Sequence, residues 1–313
     1  MEIGVSDALR LSYHVMQNSL SIIGAGRVGQ ALGRRLHELG WRIGAVVTRS
    51  EASARRAARF IGAGKACAGI TRHVLASRVI LIATPDDKVR DVAQELARIG
   101  EVELHGRVVL HTSGAMESSV LDAVRQQGAK VGSLHPLQSF SGIAVPSLDG
   151  RIFTIEGEAQ AVRVARRVAR ALGGTPVRIA GSKKLLYHAA AAMAAGHVLA
   201  VEEAATQVLV SVGMKRSEAI RGLLPLTRQV LENFERLGPR AAWTGPLSRG
   251  DYRIVAAHQD ALQKSPKEFA AAYESLNRLA ARVLPKDSAS TLAELEKISL
   301  EQRPKVRAIG GNA

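Results

Sequence analysis

The residues best suited to chemistry begin with Gly24-Ala25-Gly26-Arg27-Val28-Gly29. This segment follows an apolar run, Leu20 to Ile23, and precedes a helical pattern with Val28, Leu32, Leu36 and Leu39 on one face. Glycines so spaced between strand and helix suit a nucleotide pyrophosphate. The first permits the tight turn, the second lets the backbone approach the phosphates, and the third lets helix and strand pack closely. The N–H groups that open the helix complete an anion site. At the end of the next strand, Thr48-Arg49-Ser50 stand where an NAD-type site places an acidic residue on the ribose. Arg49 can pair with a 2′-phosphate, and Thr48 and Ser50 can donate hydrogen bonds to it. The cofactor expected is therefore NADP, with Glu51 only opening the following helix.

Further polar groups fall at strand ends, where ligands of open α/β sheets bind. Thr84-Pro85-Asp86 should border the cofactor's ribose, and Thr112-Ser113-Gly114 ends the next strand. His135-Pro136 ends another and leads into residues 137–150, long enough for a lid. An imidazole there has a pKa suited to proton transfer near neutrality. Lys184, Tyr187 and His188 share one face at the start of a long helix and are all capable proton donors. His197 lies on the opposite side of that helix. Thr244-Gly245-Pro246-Leu247-Ser248-Arg249-Gly250-Asp251 makes a polar turn in which Arg249 could clamp a substrate carboxylate, or pair with Asp251.

These groups need a frame. Strands are expected at Arg42 to Val47, Lys65 to Ala68, Arg78 to Ala83, Arg107 to His111, Lys130 to Leu134, Ile152 to Ile155 and Pro176 to Ile179. Helices alternate with them: Ala54 to Ile61, one capped by Asp86 or Asp87 and running to Ile99, Ser118 to Gln127, and Ala159 to Leu172. Gly40 supplies the stop of the first helix. The alternation predicts a doubly wound, mostly parallel sheet, an α/β fold. Beyond Gly181 the pattern is helical only: Lys183 to Val212, Ser217 to Leu237, Asp251 to Gln263 and Pro266 to Val283. The first of these is Ala-rich and should be buried, against a partner subunit. The expected domains are a dinucleotide-binding domain over 1–181, a helical substrate and dimerisation domain over 182–300, and a flexible basic tail over 301–313.

Composition narrows the classes. The chain has 313 residues, 46% hydrophobic and 4% aromatic, enough for two cores closed by small side chains. Its net charge is +15 and its pI about 10.6. The arginines are dispersed, as at Arg55, Arg56 and Arg59, with no basic tract and no stacking aromatics between them, which argues against nucleic acid as the partner. The apolar run Ala189 to Val201 stops at Glu202 and Glu203, so no membrane span is expected. Glu2 and Asp7 precede any apolar run, so no signal peptide is expected. Cys67 is the single cysteine, which excludes an internal disulfide and a cysteine-based metal site. A cytoplasmic protein without a metal is the expectation.

The segments GAGRVG, VILIATPDD, HTSGAM, GSLHPLQSF, KLLYHAAAAMAAGH and TGPLSRGD, between Ser21 and about His258, resemble a family of Rossmann-like proteins carrying the domain DUF2520. These are predicted NADP oxidoreductases of the 6-phosphogluconate-dehydrogenase-like group. The resemblance implies a Rossmann domain, a helical dimerisation domain and an active cleft between them; some members look like ketopantoate reductases. The His-Pro pair and the preceding strand-end serine are similar to the hydroxyl-binding groups of prephenate dehydrogenases, which points to His135 and Ser113. The lysine opening the long helix is similar to the catalytic lysine of β-hydroxyacid dehydrogenases and ketopantoate reductases, which points to Lys184. Those enzymes have asparagine one turn later, where this chain has His188, and family members often have asparagine at His197.

The reading is an NADP(H)-dependent oxidoreductase acting on a small polar substrate, a 2-oxo or hydroxy acid of the ketopantoate kind. Lys184 or His135 would supply the proton, Ser113 would bind the reacting oxygen, and Arg249, Tyr187 and Thr244 would hold substrate. An imine substrate would need the same site. A non-catalytic NADP sensor or scaffold would need only the glycine turn.

Overall fold

The computed structural model describes residues 18–100, 103–142 and 144–301. Residues 1–17 and the expected basic tail past Glu301 lie outside them. The chain divides into two compact units, 1–195 and 196–313.

The first unit is built on one eight-stranded sheet in the order β3-β2-β1-β4-β5-β6-β7-β8. The strands are β1 (Ser19–Ile23), β2 (Arg42–Thr48), β3 (Lys65–Ala68), β4 (Val79–Ile82), β5 (Val108–His111), β6 (Lys130–Pro136), β7 (Ile152–Gly157) and β8 (Thr175–Arg178). β1 to β6 are mutually parallel, β7 pairs antiparallel with β6, and β8 is parallel to β7. The predicted doubly wound α/β fold is therefore observed. The order reverses between β1 and β4, the switch point at which such sheets bind ligands.

Helices α1 (Arg27–Glu38), α2 (Glu51–Ile61), α3 (Asp86–Ile99), α4 (Asp122–Gln126) and α5 (Ala159–Ala171) connect the strands. α1 shows why this sequence folds here. Ala31, Leu32 and Leu36 repeat at helical spacing and are buried, the two leucines each gaining ~2 kcal/mol from leaving water. Gly29 and Gly33 share that face. A side chain at Gly33 would meet Ile22 Cδ1 at 2.5 Å, so α1 lies directly on β1. Cys67 is buried in β3, at one edge of the sheet.

Three boundaries differ from the sequence reading. Pro85 takes the N-cap position of α3, and Asp86 and Asp87 occupy the first turn, where their charges still complement the helix dipole. The helix expected over Ser118 to Gln127 opens as a 3-10 turn, Ser118–Leu121, before α4. The first unit extends to residue 195 rather than ending at 181, because the start of the long helix is bonded into the sheet, as shown below.

That helix runs as α6 (Lys184–Ala192), a π turn (Met193–His197) and α7 (Val198–Ser211). The second unit continues with α8 (Arg216–Ala242), α9 (Tyr252–Leu262), α10 (Lys267–Val283) and α11 (Ser288–Glu301). α8 is two helices joined at Gly238, whose φ of 78° breaks the run ahead of Pro239; the sequence stop at Leu237 reflects this. α11 was not expected.

In the single chain Leu185, Leu186 and Leu199 of the Ala-rich helix are 71%, 72% and 70% exposed. The helix corrects one expectation: its span Gly181–Ser211, with mean hydropathy 1.3 in its most apolar window, is long and apolar enough to cross a membrane. The uninterrupted apolar run is shorter only because isolated polar residues break it. Both ends are engaged by folded protein. Lys184 is fully buried in the first unit, and in the second Glu203 pairs with Arg216 at 2.7 Å.

Candidate active site

The glycine turn follows β1 directly. Gly24 has φ +86°, and a Cβ there would lie 2.6 Å from Thr84 Cγ2 and 2.7 Å from Thr84 N. Only glycine fits that conformation and that gap. A Cβ at Gly29 would strike the Gly24 carbonyl at 2.8 Å, whereas one at Gly26 would meet no atom within 4 Å. The first and third glycines are thus filled by protein, and the second faces open space. No side chain caps α1, and no acidic residue stands in its first turn, so its N-terminal field is left to an anion. Thr84 Oγ1 is buried beside the turn with no hydrogen-bond partner among the described residues. Across it, the 137–150 segment approaches Arg27: a Cβ at Gly142 would lie 3.1 Å from Arg27 Cγ. Val28 and Phe140 pack against the same core.

At the end of β2, Arg49 is exposed and pairs with no carboxylate among the described residues. The hydroxyls beside it are partly committed. Thr48 Oγ1 donates to the Ser50 carbonyl at 2.8 Å, and Ser50 Oγ caps α2 by accepting from Ser53 N. The donor role expected of Thr48 is therefore already taken. Glu51 is tied to Arg55 in the ion pair one turn along α2, which offsets the nearest negative charge to Arg49.

The second group gathers at the ends of β5 and β6. Lys184 is 0% exposed, and its Nζ donates to the Ser113 carbonyl at 2.9 Å and to Ser133 Oγ at 2.7 Å. Burial lowers its pKa to about 8, against the opposing pull of Glu156, Asp86 and Glu117; the ammonium form persists at pH 7. His135 Nδ1 and Tyr187 Oη are 2.7 Å apart. Burial first, then His188 and Lys184, lower the His135 pKa to about 4, so at neutral pH this imidazole is uncharged. Burial raises the Tyr187 pKa. The rings of His135 and His188 meet edge to face at 5.8 Å. His188 Nδ1 is buried without a hydrogen-bond partner among the described residues. Gly114 admits both rings: a Cβ there would lie 2.6 Å from His188 Nδ1 and 2.9 Å from His135 Nε2.

Ser113 behaves differently from its expected role. Its carbonyl holds Lys184, while its hydroxyl accepts from Ala115 N and Met116 N at 3.2 and 3.1 Å. Thr112 N–H donates to the Ile82 carbonyl, extending the sheet. Arg249 and Thr244 lie in the second unit, where both are exposed and Arg249 Nε contacts Asp251 Oδ2 at 3.2 Å.

Three residues were not singled out from sequence. His111 is fully buried, and its pKa is lowered to about 3 by burial and by Lys184. Ser113 N–H donates to its Nδ1 at 3.2 Å, which places the proton on Nε2, itself without a partner among the described residues. The signal for it was its place at the strand end ahead of Thr112-Ser113. Ser133 and Glu156 sit within β6 and β7; Ser133 lies in the GSLHPLQSF segment without having been marked out, and Glu156 lies in none of the quoted segments.

Chemically, the first unit combines an open anion turn with a buried ammonium, a phenol paired to a neutral imidazole, and two further histidines. Residues 10–136 match a Rossmann-like domain, and residues 151–280 match a domain of unknown function, DUF2520. No curated protein matches the chain. Similar solved structures include a candidate NADP oxidoreductase from Bacteroides fragilis, at 21% identity and TM-score 0.68, covering 85% of this chain and 98% of that one. A reductive aminase from Aspergillus terreus, in complex with NADPH and ethyl-5-oxohexanoate, is 18% identical with TM-score 0.65 over 88% and 98%. An imine reductase from Streptomyces aurantiacus is 16% identical with TM-score 0.57 over 89% and 99%. At these identities the likeness establishes the fold.

Proposed function

We propose that this chain, a Rossmann-like domain followed by DUF2520, is an NADP(H)-dependent oxidoreductase that reduces a small polar carbonyl substrate of the 2-oxo acid class. The observation that carries the reading is one sheet presenting, at its strand ends, both the open Gly26 turn and the Lys184–Tyr187–His135 cluster. The open turn, the uncapped α1 and the partnerless Thr84 hydroxyl fit a dinucleotide held by Gly24, Gly26, Arg27, Val28 and Gly29 at the pyrophosphate. Thr84, Pro85, Asp86 and Thr112 would stand along it, and Arg49 and Ser50 at the 2′-phosphate. The cofactor would supply a hydride.

Lys184 would meet the charge that grows on the carbonyl oxygen. Two of its N–H bonds are spent on Ser113 and Ser133, which orients the third. Between the two proton sources considered, the geometry favours Lys184. It is charged at pH 7, whereas His135 is not and serves to hold the Tyr187 hydroxyl. Tyr187 and His188 would line the substrate space. Screening NADPH oxidation against 2-oxo acids, imines and aldehydes tests the reading; turnover of none of them, with NADPH bound, favours the sensor. Imine reduction is the second reading, supported by the likeness to an imine reductase and a reductive aminase and by the neutral Tyr187–His135 pair.

The cofactor preference has its own test. Arg49→Ala should weaken NADPH binding by about 10- to 100-fold, the scale of one charge-assisted phosphate contact, while NADH affinity stays within about threefold. Titration by cofactor fluorescence reads both. Equal losses for the two nucleotides would remove Arg49 from the phosphate.

We also propose a homodimer formed through the helical region. Apolar side chains line α6 to α8 in the open, among them Leu186, Leu199, Leu226 and Phe234, each more than half exposed. Monomers seldom leave such patches bare. Light scattering at micromolar concentration should give twice the 33.3 kDa chain mass; a single chain mass would reject the dimer.

A further inference from the structure

We propose that Glu156 is the positioning residue of Lys184, acting through the Ser133 hydroxyl; this rests on the reading of Lys184 as the proton donor. The geometry is a chain of polar contacts running from α6 across β6 to β7. Lys184 Nζ donates to Ser133 Oγ at 2.7 Å, and Ser133 Oγ lies 3.5 Å from Glu156 Oε2. The carboxylate is fixed from its other side, where Ser118 N–H donates to Oε2 at 2.8 Å and Ser118 Oγ donates to Oε1 at 2.6 Å.

The polarity follows from donor inventory. An ammonium only donates, so Ser133 accepts from Lys184 and turns its single proton toward the carboxylate, which only accepts. Glu156 thus balances a buried cation through one hydroxyl without lying against it. A directly paired carboxylate would take the ammonium protons needed by a substrate.

The antiparallel pairing makes this possible. Ser133 and Glu156 are register partners across β6 and β7, side by side on one face of the sheet. Ser118 opens the 3-10 turn and pins the carboxylate from beyond it. The other charged or titratable groups that bear on Lys184 are Asp86 in α3, Glu117 before the 3-10 turn, His111 on β5 and His135 on β6. Both histidines are neutral at pH 7, and neither Asp86 nor Glu117 is linked to Nζ by the serine. Of the three carboxylates, Glu156 exerts the largest pull.

The test is the titration of Lys184 itself, followed through its 13Cε and 15Nζ resonances in full-length protein and assigned by loss of the signal in Lys184→Met. In the native chain the midpoint should lie near 8. E156Q should lower it by about one unit, a tenfold loss of proton affinity. S133A keeps the carboxylate and should also lower it. E117Q and D86N should move it less than E156Q does. NADPH affinity should stay native in E156Q and S133A, since neither residue stands in the dinucleotide turn. An unchanged midpoint in both variants, or a larger shift in E117Q or D86N, would overturn the proposal. If E156Q fails to fold, E156D takes its place: drawing the carboxylate back by one methylene should also lower the midpoint, and an unchanged midpoint would overturn the proposal. No substrate is needed, so the outcome stands apart from the donor reading: full turnover by Lys184→Met would end that reading while leaving the measured link intact.

Discussion

Replacing Lys184 by methionine is expected to lower turnover by a factor of about 10² to 10⁴, the usual contribution of a positioned proton donor, without loss of the fold. Methionine has similar length and fills the same buried space. The change should also leave a mark on stability. Burial lowers the Lys184 pKa from 10.5 to about 8, so the unfolded chain holds this proton more tightly than the folded one. Below pH 8 both states are charged, and the folded state bears the cost of burying the ammonium, about 3 kcal/mol. Between pH 8 and 10.5 the folded state loses its proton first, the cost fades, and stability rises with pH. The methionine variant lacks this rise. At pH 7 it escapes the burial cost but leaves the Ser133 hydroxyl and Ser113 carbonyl short of a donor, an opposing ~1–3 kcal/mol. Its melting temperature at pH 7 should thus match or exceed the native one, and its stability profile should be flatter between pH 8 and 10.5. Native turnover would show that Lys184 is not the donor, and parallel profiles would show that it is not a strained cation.

The second large effect belongs to the glycine turn. Gly24→Ala puts a Cβ 2.7 Å from the Thr84 backbone nitrogen at a φ of +86°. The left-handed conformation alone costs a non-glycine residue about 1–2 kcal/mol, and backbone contact cannot be relieved by a rotamer. The turn must move off β4. NADPH affinity should fall by at least about 100-fold, together with the melting temperature. Gly26→Ala separates the two effects. Its Cβ would meet no protein atom within 4 Å, so stability should stay native while NADPH binding weakens, because the added methyl would enter the space proposed for the pyrophosphate. Calorimetric titration and thermal unfolding of both variants check this. A Gly26→Ala protein that binds NADPH as tightly as the native chain would place the nucleotide elsewhere.

Much of this site could be read from sequence because its signals are local. The glycine turn announces itself by spacing between an apolar run and a helical pattern, and Lys184, Tyr187 and His188 by sharing a helical face. The strands were legible because their apolar runs alternate with amphipathic helices. What escaped depends on pairing across the sheet. Glu156 matters because β7 runs against β6, and nothing in Ile152 to Gly157 reveals its direction. Ser133 is one buried serine between Gly132 and Leu134, with nothing beside it to mark its partner. Ser113 was seen, but the division of labour between its carbonyl and its hydroxyl is a matter of local backbone geometry. The exposure of the Ala-rich helix in the single chain was not legible either, because composition reports what a surface prefers, not which chain covers it.

The lone thiol of Cys67 has a practical consequence. It is shielded in β3, at the margin of the half that carries the glycine turn, and it bonds weakly to Thr71. Any reagent that alkylates it must wait for that margin to fray, so the rate of labelling is a clock for local opening. With one sulfhydryl in 313 residues, the clock has a single hand. Mass spectrometry of the alkylated protein, with and without NADPH, would read whether a nucleotide slows that opening.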